Sequence, residues 1–489
     1  MDLTNATSVS MTNVQGDLSA EEFQRYAHEL ISWVVRYLEH PERYRVFPNV
    51  QPGDIKRQLP SSAPMQAEPL QNILADFDNM IVPGLTHWNH PGFMAYFGIT
   101  ASKVGILGEL LSAALNTNAM LWRTGPAAVE LEEVVLDWLR QLLGLPTEFF
   151  GLIHDTASVS SLVALTAARE AVDHSIRKEG MRGRHDLPTL RIYTSEHAHS
   201  SIEKAAMVLG FGQKGVSKIG VDSGFRMRVD LLQQSLEADI QAGIQPCAVV
   251  ATVGTTSTTS IDPVKEIASL CRRYSLWLHV DAAYAGNAAV LPEMRWLLDG
   301  CEEADSLVFN PHKWLFVPID CSVLYCRKPE IVRQAFSLVP EYLKTEEEGI
   351  RNPMDYGISL GRRFRALKLW MVLRAFGVEG IRERLRYHIA LAQKLKEWIE
   401  ASPEFELMAP VPLSVVCFRY HPPGKTEADL NRLNETLLES VNRSGRIFLS
   451  HTKLNDRYTI RLAIGNLGTR EEHVRQAWSL LQSHAQQLR

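Results

Sequence analysis

The sequence predicts an α/β protein with a mostly parallel central sheet, followed by an α+β carboxy-terminal domain. Short β-prone runs bounded by turn residues recur near 190, 248, 277 and 306, and segments of helical periodicity separate them, the alternation that builds a parallel sheet. Polar and charged residues fall just after these runs, where such sheets place their ligands. Beyond residue 366 the order changes to a long helical stretch and two strand-like runs at 413–419 and 458–464, with helices between and after them.

Composition bounds the function. With 489 residues, 45% of them hydrophobic and 22% charged, the chain can bury a large core in two or three domains. A formal net charge of −5 provides no basic footprint for nucleic acid. The six cysteines, at 247, 271, 301, 321, 326 and 417, include no Cys-x-x-Cys pair and sit in largely apolar surroundings. They are expected to be reduced core residues of a cytoplasmic protein. Residues 1–17 lack the basic and apolar regions of a signal peptide, and no run of about 18 apolar residues predicts a membrane span. No internal repeat is evident.

In chain order, Ser-Ala-Glu-Glu at 19–22 is a capping box opening a helix with Phe23, Tyr26, Leu30, Trp33, Val34, Tyr37 and Leu38 at helical spacing. Its broad aromatic stripe is suited to docking on a second subunit or on its own domain. A Pro-rich connector covers 47–69. An aromatic segment follows, with Trp88, Tyr96 and Phe97 among turn residues, and a long amphipathic helix is expected over 126–143. Residues 151–158, Gly-Leu-Ile-His-Asp-Thr-Ala-Ser, lead into a second helical run. Hydroxyls, free N–H groups and the positive dipole end make such a start either a phosphate site or a plain N-cap. Asp155 there would oppose a phosphate unless its carboxylate turns away.

A strand over 190–194 precedes Glu-His-Ala-His at 196–199. Two histidines at i and i+2 with no further ligand cluster do not predict a metal site. Gly210-Phe-Gly212-Gln-Lys-Gly215 satisfies G-x-G-x-x-G, yet it follows a helix and precedes a strand, the reverse of a dinucleotide fingerprint, and reads as a helix C-cap and turn.

The chemistry gathers around Phe-Asn-Pro-His-Lys-Trp-Leu at 309–315. Lys313 stands just past the strand-like run 306–309, among Pro311, Trp314, Leu315, Phe316 and Val317, which would desolvate an ammonium and favour a neutral, nucleophilic amine. Asp281 ends the run Trp-Leu-His-Val-Asp. Pyridoxal phosphate needs an amine for its aldehyde, a carboxylate for its ring nitrogen and a phosphate cradle, and Lys313 and Asp281 supply the first two types.

With these residues the chain resembles the pyridoxal-phosphate-dependent group II decarboxylases, most closely the aromatic-L-amino-acid decarboxylases, from about residue 20 to about 480. The resemblance implies fold type I, the aspartate-aminotransferase-like architecture, divided into an amino-terminal dimer-clasp segment (1–90), a large cofactor domain (91–365) and a small α+β domain (366–489). It implies Lys313, Asp281, His199, Thr156, Ala157, Ser158, Thr256, Ala283, Asn310 and His312 as cofactor residues, with His199 stacking on the ring and contacting the substrate carboxylate.

For the substrate pocket the resemblance implies Trp88, Tyr96, Phe97, Thr100, Asn118, Met120 and Gly361, the last in Leu-Gly-Arg-Arg-Phe-Arg at 360–365. Gly98-Ile99 replaces a single proline of animal members ahead of Thr100. Tyr342, in a polar loop-like stretch at 341–354, corresponds to the tyrosine that protonates the substrate's α-carbon. The expected activity is decarboxylation of phenylalanine, tyrosine, dihydroxyphenylalanine or tryptophan by a cytoplasmic homodimer. Its active sites would lie at the subunit interface, and it would bind neither nucleic acid nor membrane. Open alternatives are aldehyde synthesis, a histidine or acidic-amino-acid decarboxylase, and a catalytically silent scaffold.

Overall fold

The computed structural model describes residues 17–338 and 350–488. The chain forms two compact units, Met1–Tyr44 and Arg45–Arg489. In the first, the helix Ala20–Glu39 opens on the Ser19/Glu22 capping box, which satisfies two of the helix's orphan N–H donors, and Trp33 stacks on Tyr37 at 5.2 Å.

The second unit contains two sheets. The larger has seven strands: β1 (Phe150–His154), β2 (Leu190–Ser195), β3 (Val216–Ile219), β4 (Gln245–Thr252), β5 (Trp277–Asp281), β6 (Ser306–Phe309) and β7 (Ser322–Cys326). Their spatial order is β1-β7-β6-β5-β4-β2-β3. The run from β3 through β2, β4 and β5 to β6 is parallel, whereas β7 is antiparallel to both β6 and β1.

Alternation along these strands feeds two cores. Val249, Ala251, Leu307 and Phe309 pack on one face, while Val250, Val308 and Leu324 pack on the other with Val163, Ala164, Leu165 and Ala168 of the helix Ala157–Val172. Both faces are covered, which is why these strands read as apolar runs without polar alternation.

The smaller sheet orders β10 (Ser450–Leu454), β11 (Arg457–Ala463), β9 (Val415–Tyr420) and β8 (Phe405–Leu407), all antiparallel. Its core includes Phe418, Ile460, Leu462 and residues of the helices Glu427–Arg443 and Glu471–Gln486. The long helical stretch Arg365–Glu400 is two helices meeting at Gly377, whose φ of +63° suits a residue without a Cβ. The G-x-G-x-x-G segment forms a turn, with Gly210 and Gly212 at positive φ, leading through a short 3-10 turn into β3. Among the described residues no helix is long and apolar enough to cross a membrane.

Candidate active site at the strand ends

Four parallel strands deliver the predicted polar residues to one edge. β6 ends at Phe309, and the single helical turn Pro311–Trp314 lifts Lys313 over that edge. β5 ends at the buried Asp281, whose Oδ1 accepts the Ala283 N–H at 3.1 Å. Beyond β2, His199 is held by Ser201, whose N–H donates to Nδ1 at 3.2 Å and whose Oγ lies 2.8 Å from it. That leaves the ring proton on Nε2. Thr256 follows β4 and is exposed.

Lys313, Asp281 and His199 form one electrostatic group. Burial is the main force holding the Lys313 amine below the ordinary lysine range; Asp281 opposes it and the Arg461 charge adds to it. His199 is likewise pushed down, chiefly by burial, with Asp281 opposing and Lys313 reinforcing. An amine depressed by burial beside a carboxylate is the combination that a nucleophilic lysine requires.

Lys313 opens on a cavity of about 310 Å³. Trp88, Tyr96, Phe97 and Ile99 form its aromatic and aliphatic wall, and His199, Thr256, Ser257 and His312 come from the segments that follow strands of the large sheet. The wall is supported from behind, because Phe97 stacks on Tyr284 at 3.9 Å and Tyr284 on Trp314 at 4.7 Å. The remaining lining, Ser450, His451, Thr452 and Arg461, comes from β10 and β11. Sequence reasoning missed all four. The one available signal was Arg461 itself, a charged residue in the middle of the strand-like run 458–464.

Arg461 is 3% exposed and has no carboxylate partner among the described residues. Its Nε donates to the Ser257 carbonyl at 3.0 Å, another nitrogen donates to the Tyr96 carbonyl, and one guanidinium nitrogen is buried without an acceptor. A buried cation with a spare donor on a cavity wall suits an anionic ligand group.

The other predicted residues fall into three places. Thr156 is the N-cap of the helix Ala157–Val172, with Ala157 and Ser158 in its first turn and no side chain capping it. Asp155 does not turn away: its Oδ1 accepts the Thr156 N–H at 2.5 Å and the Thr156 hydroxyl at 3.2 Å. Asn310 donates its N–H to Ala283 O at 3.1 Å, and its buried Oδ1 has no partner. His312 Nδ1 accepts the Cys321 N–H at 2.8 Å, and burial pushes the ring down to about 3.

Asn118, Met120 and Gly361 lie together apart from the lysine cavity. Asn118 Nδ2 is 3.4 Å from Met120 Sδ, its Oδ1 accepts the Arg362 N–H at 2.9 Å, and a Cβ at Gly361 would stand 3.9 Å from Nδ2. Thr100 is buried, accepts the Leu467 N–H at 3.3 Å and does not line the cavity, whereas Ile99 does. Tyr342 lies outside the described residues.

These residues fit pyridoxal phosphate. A depressed amine, a buried carboxylate and a helix start without a side-chain cap match an aldehyde, a ring nitrogen and a phosphate. No group of three or more metal-binding side chains occurs among the described residues. A larger cavity, about 1140 Å³, lies at the opposite ends of the strands; it holds none of the predicted residues, and Lys328 and Asp305 pair there at 2.7 Å.

Comparison with known proteins agrees with this chemistry. Residues 52–421 match the family model described as the pyridoxal-dependent decarboxylase conserved domain. Tyrosine decarboxylase 3 of Petroselinum crispum is 41% identical, over 99% of this chain and 96% of its own. Phenylacetaldehyde synthase of a Rosa hybrid cultivar is 37% identical, over 99% and 97%. The crystal structure of Oryza sativa TDC with PLP and tryptamine superposes with a TM-score of 0.93 at 36% identity, covering 97% of this chain and 99% of that one.

Proposed function

The chain belongs to the pyridoxal-dependent decarboxylase family and is a pyridoxal-phosphate-dependent amino-acid decarboxylase; from that premise we propose that it converts aromatic L-amino acids to amines and carbon dioxide. The observation that carries the substrate class is the wall of Trp88, Tyr96 and Phe97 beside Lys313, a surface that a substrate ring can stack against. Relatives named as tyrosine and tryptophan decarboxylases support the same class.

Bound pyridoxal phosphate supplies the electron sink for the pair left when the Cα–carboxylate bond breaks. Lys313 would hold the aldehyde carbon, Asp281 would keep a proton on the ring nitrogen, and His199 would lie against the ring. Thr156, Ala157, Ser158 and the Asn310 side-chain amide N–H would hold the phosphate end, and Thr256, Ala283 and His312 would surround the ring. Arg461 offers its spare N–H to the substrate carboxylate and orients it. Tyr342 would be the proton donor to the α-carbon.

The working form is a homodimer. Phe23, Leu30, Ile31 and Val35 of the amino-terminal helix are exposed, which supports docking on a second copy. The separate cluster of Asn118, Met120 and Gly361 supports a site completed across that interface, with Thr100 backing the pocket wall. Residues 1–90, 91–365 and 366–489 serve as clasp, cofactor domain and small domain. Six buried free cysteines support a cytoplasmic location.

The test is incubation of the holoenzyme with phenylalanine, tyrosine, dihydroxyphenylalanine, tryptophan, histidine and glutamate, with products identified by mass spectrometry. Amines from the aromatic substrates are expected, and Lys313→Ala should lose turnover and the visible absorbance of the bound cofactor. Turnover of histidine or glutamate alone would sink the aromatic assignment. Aldehyde with hydrogen peroxide from the wild type would replace it with the synthase reading, which the Rosa relative exemplifies.

A further inference from the structure

His279 lies in β5 two residues before Asp281, so strand alternation puts both side chains on one face of the sheet. It is fully buried, and both ring nitrogens have partners: Nδ1 lies 2.9 Å from Ser306 Oγ and Nε2 lies 3.1 Å from Ser161 Oγ. The Trp277 indole N–H donates to the same Ser306 oxygen at 2.8 Å, fixing that hydroxyl in place. Burial holds the imidazole down at about 4, so it is neutral and presents one donor and one acceptor. One serine therefore accepts from the ring and the other donates to it.

The two ends of this bridge stand on different elements. Ser306 begins β6, the strand that runs to Lys313. Ser161 lies in the helix Ala157–Val172, one turn beyond the Thr156–Ser158 start. The helix also meets this face through apolar contacts of Val163, Ala164 and Ala168, which resist separation but do not fix sliding, and through a hydroxyl contact of Ser160 with β7, which does not reach the strands that lead to Asp281 and Lys313. A directional hydrogen-bonded bridge adds that constraint.

We propose that Ser306, His279 and Ser161 act as a positioning bridge for the cofactor, fixing the spacing between the Asp281 carboxylate and the helix start that receives the phosphate. The inference rests on the cofactor placement proposed above. Pyridoxal phosphate has a rigid ring between its nitrogen and the phosphate-bearing arm, so a helix that drifts by a few tenths of an ångström cannot keep its phosphate hydrogen bonds while Asp281 keeps the ring nitrogen.

The neighbouring serine supplies a matched control. Ser160 is equally buried in the same helix, and its Oγ lies 2.9 Å from Ser322 Oγ on β7, which carries none of the proposed cofactor residues. The experiment titrates pyridoxal phosphate into wild-type, Ser161→Ala, Ser161→Cys, Ser160→Ala and Lys313→Ala apoproteins. It follows the visible absorbance and circular dichroism of the bound cofactor and the thermal unfolding of each apoprotein.

Loss of one buried hydrogen bond is expected to weaken cofactor binding about tenfold in Ser161→Ala. Ser161→Cys keeps the volume with a weak donor and should weaken binding less, which covers the case of an alanine variant that does not fold. Ser160→Ala should lower apoprotein stability comparably while leaving affinity within about twofold of wild type. Equal affinity losses in the Ser160 and Ser161 variants, or unchanged affinity in both Ser161 variants, would overturn the bridge. Failure of the underlying site reading looks different: a wild type without a visible band, or a Lys313→Ala protein that keeps it, overturns both.

Discussion

The guanidinium carbon of Arg461 stands 4.7 Å from the centre of the Phe97 ring, and Lys313 Nζ stands 5.0 Å from the same ring. One aromatic side chain from the amino-terminal half thus carries two cations, one from each sheet. Arg461 has no carboxylate partner among the described residues, so its charge is not cancelled locally, and it adds to the burial that holds Lys313 down. Its removal makes the ammonium form of Lys313 less costly, and the amine's pKa must rise.

The first prediction concerns the capture of pyridoxal phosphate by the apoprotein, which requires the neutral amine. In Arg461→Met the pH at which capture is half-maximal should move up. Arg461→Lys, which keeps the positive charge, should stay near the wild-type profile. Stopped-flow absorbance across a pH series measures this, and superimposable profiles for wild type and the methionine variant would remove Arg461 from the tuning of Lys313.

Asp155 occupies two of the donors that a phosphate would use, both on Thr156. Its Oδ1 takes the Thr156 N–H at 2.5 Å and the hydroxyl at 3.2 Å. An arriving phosphate meets both a filled donor and a like charge, and Arg365, paired with Asp320 at 2.7 Å, is the cation within electrostatic reach of the displaced carboxylate. Asp155→Gly should therefore bind pyridoxal phosphate roughly three- to tenfold more tightly, and Asp155→Asn by a smaller factor. Fluorescence titration of the apoproteins checks it. Weaker binding in both variants would mean that the carboxylate organises the cradle.

The contrast between Asp155 and Arg461 marks what the sequence carried. Lys313, Asp281 and His199 were legible because each follows a short apolar run, and parallel strands gather their carboxyl ends on one edge whatever lies between them. Thr156 was legible as a hydroxyl residue opening a helix, but the direction of the neighbouring carboxylate was not, because it depends on which donor lies within reach. Arg461 and Ser450–Thr452 were illegible because they lie on a second, antiparallel sheet and reach the cavity only through packing of one sheet unit against the other. The choice of Ile99 over Thr100 turned on a one-residue register in an irregular segment, where Tyr96 takes a φ of +51° and strand alternation gives no guide. The antiparallel course of β7 was hidden for a related reason: the strand is buried along its length, and a buried run does not record the direction of its neighbour.

The last prediction follows from the far side of the lysine turn. Trp314, next to Lys313, donates its indole N–H to His388 Nδ1 at 3.0 Å, and the two rings lie nearly parallel, 3° apart. His388 must stay neutral to accept that bond. Burial, reinforced by the Arg470 charge, lowers it from 6.5 to about 4. A histidine depressed on folding contributes stability that is fully present above pH 6.5 and is lost as pH falls from there toward 4, because the unfolded chain takes the proton first. His154 at about 3, His279 at about 4 and His312 at about 3 have the same sign, so the protein should lose stability steeply on the acid side of pH 6.5. His388→Gln keeps an acceptor for Trp314 and removes one titration. Between pH 7.5 and pH 5 its urea-unfolding free energy should fall by about 2 kcal/mol less than that of the wild type. Parallel losses across that range would show that folding does not lower the affinity of His388 for its proton.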